Sequence, residues 1–176
     1  MTSVLVVVDL QVGVVRGAAD AAGVLARTAT LVARARAEGV PVIWVQDDQD
    51  FDRDGDDWQL APPLTPAPGE VRILKSYRDA FAGTDLADVL AGLGATRLVL
   101  CGAQSDYCVR TLGQSAAVLG FDVTLVGDCH TTWDGVLAGD PVTGAQIVAH
   151  VNEYFSGLRY PGQKFTVEDH DDVPLS

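Results

Sequence analysis

Near its start the chain carries an uninterrupted apolar run, Val4 to Val8, closed by Asp9. A strand of this kind has no polar face to turn to water. It must lie inside a sheet covered on both sides, and such sheets are parallel. Parallel neighbours need crossover connections, usually helices. The sequence supplies them. Residues 20–38 place Leu25, Leu31, Val32 and Ala35 at helical spacing and stop at Gly39 and Pro41. Residues 40–46 read as a second strand and residues 71–74 as a third, ending at Lys75. Thr84 reads as the N-cap of a helix over residues 85–93, closed by Gly94. Residues 97–101 read as a fourth strand, 102–107 as a loop, and 108–119 as a helix stopped by Gly120. Residues 121–126 predict a fifth strand, 142–156 a helix, and 165–167 a sixth, edge strand. This alternation predicts an α/β fold in three layers, with a parallel sheet, right-handed crossovers and helices on both faces. No repeat or linker divides the chain, so residues 1–176 are expected to form one domain. In such sheets ligands bind beyond the carboxyl ends of the strands, at the topological switch point.

Charge narrows the partners. The chain has 24 acidic and 12 basic residues, a net charge of −12. Residues 47–57 hold seven Asp and one Arg, and residues 168–172 hold four acids and no base, so these stretches carry −6 and −4. An acidic surface argues against nucleic acid and against an anionic membrane. No apolar run reaches the roughly 18 residues of a spanning helix. The segment MTSVLVVVDL lacks a basic n-region and a small-residue cleavage site. Three cysteines without a secretion signal point to a reducing cytoplasm and no disulfide framework. The acidic loop follows the second strand, on the ligand side of the sheet, where it would attract a cationic substrate. Asp50, Asp52, Asp54 and Gly55 resemble half of a calcium loop, but Ala61 stands where the bidentate acid belongs. A solvated acidic lid is the expectation.

Three strand ends supply an acid, a base and a thiol: Asp9, Lys75 and Cys108. A cysteine at a helix start, near a lysine, is expected to have a lowered pKa and to alkylate readily below pH 7. A carboxylate in reach can take the thiol proton and pass it to a leaving group. The same residues also have plainer uses: a loop-capping Asp, a buried apolar Cys, a solvated Lys.

The surrounding motifs resemble a known family. Asp9-Leu10-Gln11 resembles the D-x-Q opening of the isochorismatase-like cysteine hydrolases. Lys75, then Asp79-Ala80-Phe81, Thr84 and Leu86, is similar to that family's K…SAF…T-x-L segment. Residues 102–111, GAQSDYCVRT, resemble its G-x-x-[TS]-x-x-C-V-x-x-T nucleophile loop. Gly120-Phe121 with Val126 to Asp128 resembles the G-[YF]…D segment that follows. The resemblance covers residues 3–155. It implies a six-stranded parallel sheet in order 3-2-1-4-5-6 and a catalytic triad of Asp9, Lys75 and Cys108. It also implies a cis peptide at Ala103–Gln104, with the Gln104 and Cys108 N–H groups forming an oxyanion hole. The implied reaction is hydrolysis of an amide or carbamoyl C–N bond through a Cys-linked acyl-enzyme. Streptothricin hydrolases, which open a cyclic amide, are members of this compact size, and the acidic loop suits a cationic substrate of that kind. Dimers or tetramers are implied as well.

Departures from the family pattern sharpen the reading. The D-x-H…H metal site of its nicotinamidases has no counterpart here. Val45-Gln46-Asp47-Asp48 stands in its place and no His precedes residue 130, so neither metal nor cofactor is expected. Cys108 argues against the acid-catalysed ether hydrolysis of the isochorismatases themselves. An intact Asp9 and Lys75 argue against a thiol sensor or binding protein on the same fold. Asp79 replaces a usual Ser and Val15 a usual Phe, changes expected to reshape the pocket. Gln11, Gln46, Trp58, Tyr107 and Trp133 are the candidates to contact a small-molecule substrate. Cys101 is expected in the core, Cys129 partly exposed, and His130 and Lys164 at the surface.

Overall fold

The structure, a computed structural model, describes residues 1–175. Strand β1 (Ser3–Val8) is buried along its whole length. A short helix α1 (Val12–Val15) and a long helix α2 (Ala21–Ala37) lead to β2 (Val42–Asp47). The acidic loop, containing a single helical turn at Asp56–Trp58, precedes β3 (Val71–Lys75). Then come α3 (Leu86–Gly92), β4 (Arg97–Ala103), a π-helical turn (Ser105–Val109) and α4 (Arg110–Val118). The chain closes with β5 (Asp122–Thr131), a hairpin of β6 (Gly135–Leu137) and β7 (Asp140–Val142), α5 (Gly144–Gly157) and β8 (Phe165–Glu168). Among the described residues no helix is long and apolar enough to cross a membrane.

The main sheet has six strands in the order β3-β2-β1-β4-β5-β8. All five of its pairings are parallel. With β8 as the sixth strand, this is the expected order. The two-residue period of β1 divides the core. Leu5 and Val7 join α2 through Val24, Leu31, Val32 and Ala35. Val4, Val6 and Val8 face the other way, toward Leu86 and Leu90 of α3, Leu112 and Ala116 of α4, and Val151 and Phe155 of α5. The connections from β1 run to β2 on one side while β4 starts the other side, so the switch point lies between β1 and β4.

Four local features differ from expectation. Strand β5 does not stop at Val126. The register against β4 shifts by a bulge, after which Gly102 pairs with His130 and Ala103 with Thr131. The hairpin β6–β7 stands apart from the main sheet. Helix α3 begins after Asp85, with no side-chain cap, while the Thr84 hydroxyl donates to the Ala80 carbonyl and accepts from Leu86 N. Cys108 lies inside the π-helical turn and not at the start of an α-helix.

Candidate active site

The ends of β1, β3 and β4 meet at one place. Asp9 leaves β1 in the left-handed region (φ 46°), and its N–H donates to the Val45 carbonyl at 2.9 Å. That conformation costs a non-glycine residue about 1–3 kcal/mol and persists only where the surroundings impose it. Lys75, the last residue of β3, stands in register with Asp47 of β2. Gly102 of β4 has φ 132°, and a Cβ there would lie 2.0 Å from the Val8 carbonyl oxygen. Only glycine permits this approach of the two strand ends. The Ala103–Gln104 bond that follows is cis, and the π-helical turn then carries Cys108 over the end of β1.

Lys75 is the hub. Its Nζ lies 2.7 Å from Asp9 Oδ2, 3.5 Å from Asp47 Oδ2 and 3.4 Å from Cys108 Sγ. Asp9, Lys75 and Cys108 are each no more than 2% exposed. Asp9 Oδ1 is buried with no hydrogen-bond partner. Burial pushes the Asp9 carboxyl up to about 6, although Lys75 pulls it down. Burial opposes the Lys75 charge, yet Asp9, Cys108 and Asp47 hold its pKa above the ordinary value. Burial, and after it the Asp9 carboxylate, pushes the Cys108 thiol up to about 11, against the pull of Lys75 and Arg78. The expected low thiol pKa is therefore corrected. The resting group is a thiol, and Asp9 Oδ1 is left without a hydrogen-bond partner.

Asp9 and Cys108 reach a cavity of about 120 Å³, while Lys75 is not among its lining residues. Asp9, Gln104 and Cys108 line it together with Asp47, Asp50 and Arg78, and Val14, Phe51 and Trp133 form its apolar part. Of the five candidate substrate contacts, Trp133 is there, 44% exposed, its indole N–H donating to the Arg16 carbonyl. Gln11 is not. Its Nε2 donates to the carbonyls of Asp47 and Trp58, and its Oε1 accepts from Asp47 N at 2.8 Å. Those bonds tie the acidic loop to the end of β1, and the side chain is fully buried outside the cavity lining. Gln46 is buried and donates to the Trp58 carbonyl, with Oε1 unpartnered. Trp58 accepts these bonds from behind the cavity, and Tyr107 lies outside it under the Arg78 guanidinium, 5.2 Å from the ring centroid. The sequence reading missed Arg78, whose Nη1 lies 3.9 Å from Cys108 Sγ. It also missed Asp47 as a partner of Lys75 and Phe51 as a wall. The only signal for Arg78 was its position three residues after Lys75 in the predicted strand-end loop.

The acidic loop lies where expected, since Asp47, Asp50 and Phe51 reach the cavity. Several of its acids are already engaged. Asp47 Oδ1 accepts the N–H groups of Gln49 and Asp50, Asp48 pairs with Arg53, and Asp57 pairs with Arg16. Among the described residues no His, Cys, Asp and Glu side chains converge as a metal site. Asp79 does not shape the active site; its carboxylate accepts from Phe81 N and the Ser115 hydroxyl beside a separate groove. Val15 packs in the core, and its neighbour Val14 reaches the cavity. Cys129 is fully buried, contrary to expectation. His130 is not at the surface either. The bulge returns β5 to the ladder and buries the ring, which is 1% exposed, between Ser105 and Asn152. Lys164 is exposed as expected.

Comparison with known proteins gives a consistent picture. The isochorismatase domain model matches residues 3–137. A streptothricin hydrolase of Streptomyces noursei is 38% identical over 137 residues, covering 74% of this chain and 54% of that protein. The chain thus spans about half the length of that relative, which corrects the expectation that streptothricin hydrolases share its compact size. The uncharacterized isochorismatase family protein YecD of Escherichia coli O157:H7 is 31% identical over 147 residues, covering 72% of this chain and 78% of that one. The crystal structure of an isochorismatase from Pseudomonas putida KT2440 superposes with a TM-score of 0.89 at 28% identity, covering 98% of this chain and 90% of the other.

Proposed function

The chain belongs to the isochorismatase family, and we propose that it is a cysteine hydrolase of amide or carbamoyl C–N bonds in small molecules. The observation that carries this reading is the position of Lys75 Nζ, within 3.5 Å of two carboxylates and the Cys108 thiol at the floor of one cavity. A lysine used only for solubility would not be buried in that company. Asp9, ionised above pH about 6, takes the thiol proton as Sγ attacks the carbonyl carbon. Lys75 stays charged throughout and offsets the negative charge that moves from carboxylate to sulfur. The N–H groups of Gln104 and Cys108 are assigned to the tetrahedral oxyanion. Asp9 then protonates the departing nitrogen, and water, deprotonated by Asp9, cleaves the thioester.

The cavity of about 120 Å³ admits the reacting end of a molecule and little more. Asp50 at its rim and the acidic loop beyond favour a cationic remainder held outside. The likeness to streptothricin hydrolase brings streptothricin itself into the substrate panel. The test is a screen of amides, carbamoyl compounds, lactams and streptothricin, read by ammonia release and by the mass of ring-opened products. Turnover by the wild type, absent from Cys108→Ala, is the expected result. Equal turnover by the two proteins sinks the proposal.

A further inference from the structure

Behind the turn that carries Cys108 lies a polar chain, buried at His130 and Ser105 and half-buried at Asn152, for which the mechanism above has no use. Asn152 of α5 donates from Nδ2 to the Gly127 carbonyl at 3.0 Å. That bond fixes the amide's orientation and leaves Oδ1 facing His130 Nε2 at 2.8 Å. An amide oxygen only accepts, so Nε2 carries the proton. His130 Nδ1 is then a lone pair, and the Ser105 hydroxyl, 2.7 Å away, donates to it. Two residues after His130, just past the end of β5, the Thr132 hydroxyl donates to Asp106 Oδ1 at 2.8 Å. Consecutive residues of the π-helical turn are thus each tied to the end of β5.

The turn needs an external anchor. It has no side-chain cap at its start. The N–H groups of Tyr107 and Val109 both donate to the single Gln104 carbonyl. Such a local pattern does not by itself select one geometry. The order Ser–His–Asn brings a second nucleophile to mind, but Ser105 is 0% exposed and neither it nor His130 lines the cavity. No substrate reaches the hydroxyl. Burial also holds the imidazole pKa below its ordinary value, against the Asn152 hydrogen bond and the nearby Asp128 carboxylate of β5. The charged group that acts on the ring is Asp128 of β5. A neutral ring keeps the chain of bonds in one form across the neutral range.

We propose that Asn152, a neutral Nε2–H His130 and Ser105 form a positioning relay that fixes the nucleophile turn and so sets the distance from Cys108 Sγ to Lys75. The proposal rests on Cys108 being the nucleophile and deepens that reading. Two measurements test it. The first is a long-range ¹H–¹⁵N correlation of the histidine rings, assigned with His150→Gln and His170→Gln variants. A protonated Nε2 and an unprotonated Nδ1 at neutral pH are expected for His130; the opposite tautomer or a charged ring overturns the relay. The second is the pH profile of Cys108 alkylation by iodoacetamide, followed by mass spectrometry of its peptide. Ser105→Ala is expected to slow alkylation at pH 8 by about tenfold and to move the profile upward, since sub-ångström misplacement of reacting groups costs rate on this scale. Ser105→Thr, which keeps the hydroxyl, recovers most of the rate. Asn152→Ala, which frees the ring to take either tautomer, must shift the profile in the same direction, and it serves alone if Ser105→Ala does not fold. An unchanged profile with only a lower Tm overturns the proposal. Alkylation needs no amide substrate, so a failed hydrolase screen and a failed relay are separate results.

Discussion

Cys101 and Cys108 stand seven positions apart on one strand and the turn after it, and both are buried. Burial pushes the first thiol up to about 12 and the second up to about 11. Resting acidity therefore hardly separates them. Their surroundings do. Cys101 packs among Val7, Val99 and the α2 side chains, with Sγ 3.8 Å from the Val6 carbonyl. Cys108 faces a cavity, with the buried Lys75 at 3.4 Å, the exposed Arg78 at 3.9 Å and an unpartnered carboxylate oxygen on Asp9. On the proposed reading, reactivity comes from a base and an approach path rather than from a depressed resting pKa.

Removing the hub breaks the comparison most severely. Lys75→Met leaves Asp9 and Asp47 facing each other without their shared cation. Asp9 then holds its proton at neutral pH and cannot serve as base. Hydrolysis is expected to fall by about 10³-fold or more. Stability falls as well, toward the roughly 3–5 kcal/mol seen when a buried charge loses its partner, less whatever Asp9 protonation recovers. Steady-state kinetics beside a denaturant melt separates the two losses. Activity within tenfold of wild type would reduce Lys75 to a structural cation.

Next in size is an acid limb. Asp9 must be ionised to accept the thiol proton, and its carboxyl is held up at about 6. The kcat/KM is expected to drop tenfold per pH unit below that value and to level off above it. Protonation of Asp9 does not itself destabilise the fold. A carboxyl whose folded pKa lies above its unfolded value binds its proton more tightly in the fold. Its contribution to stability therefore grows as pH falls from about 6 toward about 4. Rate lost with Tm retained across that window is the expected pattern; parallel loss of both would remove Asp9 from the role.

Arg78 should matter less. It is an exposed guanidinium, and its effect on Sγ at 3.9 Å is screened by solvent. Arg78→Met is expected to slow Cys108 alkylation at neutral pH by about threefold, with the difference shrinking at high salt. A loss as large as that of Lys75→Met would exchange the ranking of the two cations.

What could be read in advance follows the same division. Short apolar runs mark β1, β3 and β4, with Asp9 and Lys75 at the ends of the first two and Cys108 a short loop beyond the third, and so place the three residues at one edge. Features fixed by distant contacts left no local mark. The π-helical turn depends on Ser105 and Asp106 reaching β5. The bulge in β5 hides behind Gly127 and Asp128, which read as a strand end, so His130 was placed outside. The β6–β7 hairpin turns through Ala138 (φ 53°) and Gly139 (φ 97°). Hairpin turns with two positive φ values are usually announced by Asn-Gly or Asp-Gly, and alanine there gives no such signal. Arg78 sits on an irregular loop in a chain with ten Arg against two Lys, where one more arginine carries no information.

The smallest effect is the one that sharpens the comparison. Cys101→Ala removes a sulfur from a sealed apolar site and nothing from the cavity. The gap it leaves is expected to cost about 1 kcal/mol, or about 2–4 °C in Tm for a chain of this size. The kcat/KM should stay within twofold of wild type. Cys101 is paired in register with Val7, one residue from Gly102 and the close crossing over Val8. If that crossing transmits even a small shift of β4 to the turn, the variant will alkylate more slowly at Cys108 while remaining folded. Such a result would mean that the core beneath β4 sets the position of the nucleophile together with the turn above it. An unchanged alkylation profile would confine that task to the turn and its anchors on β5.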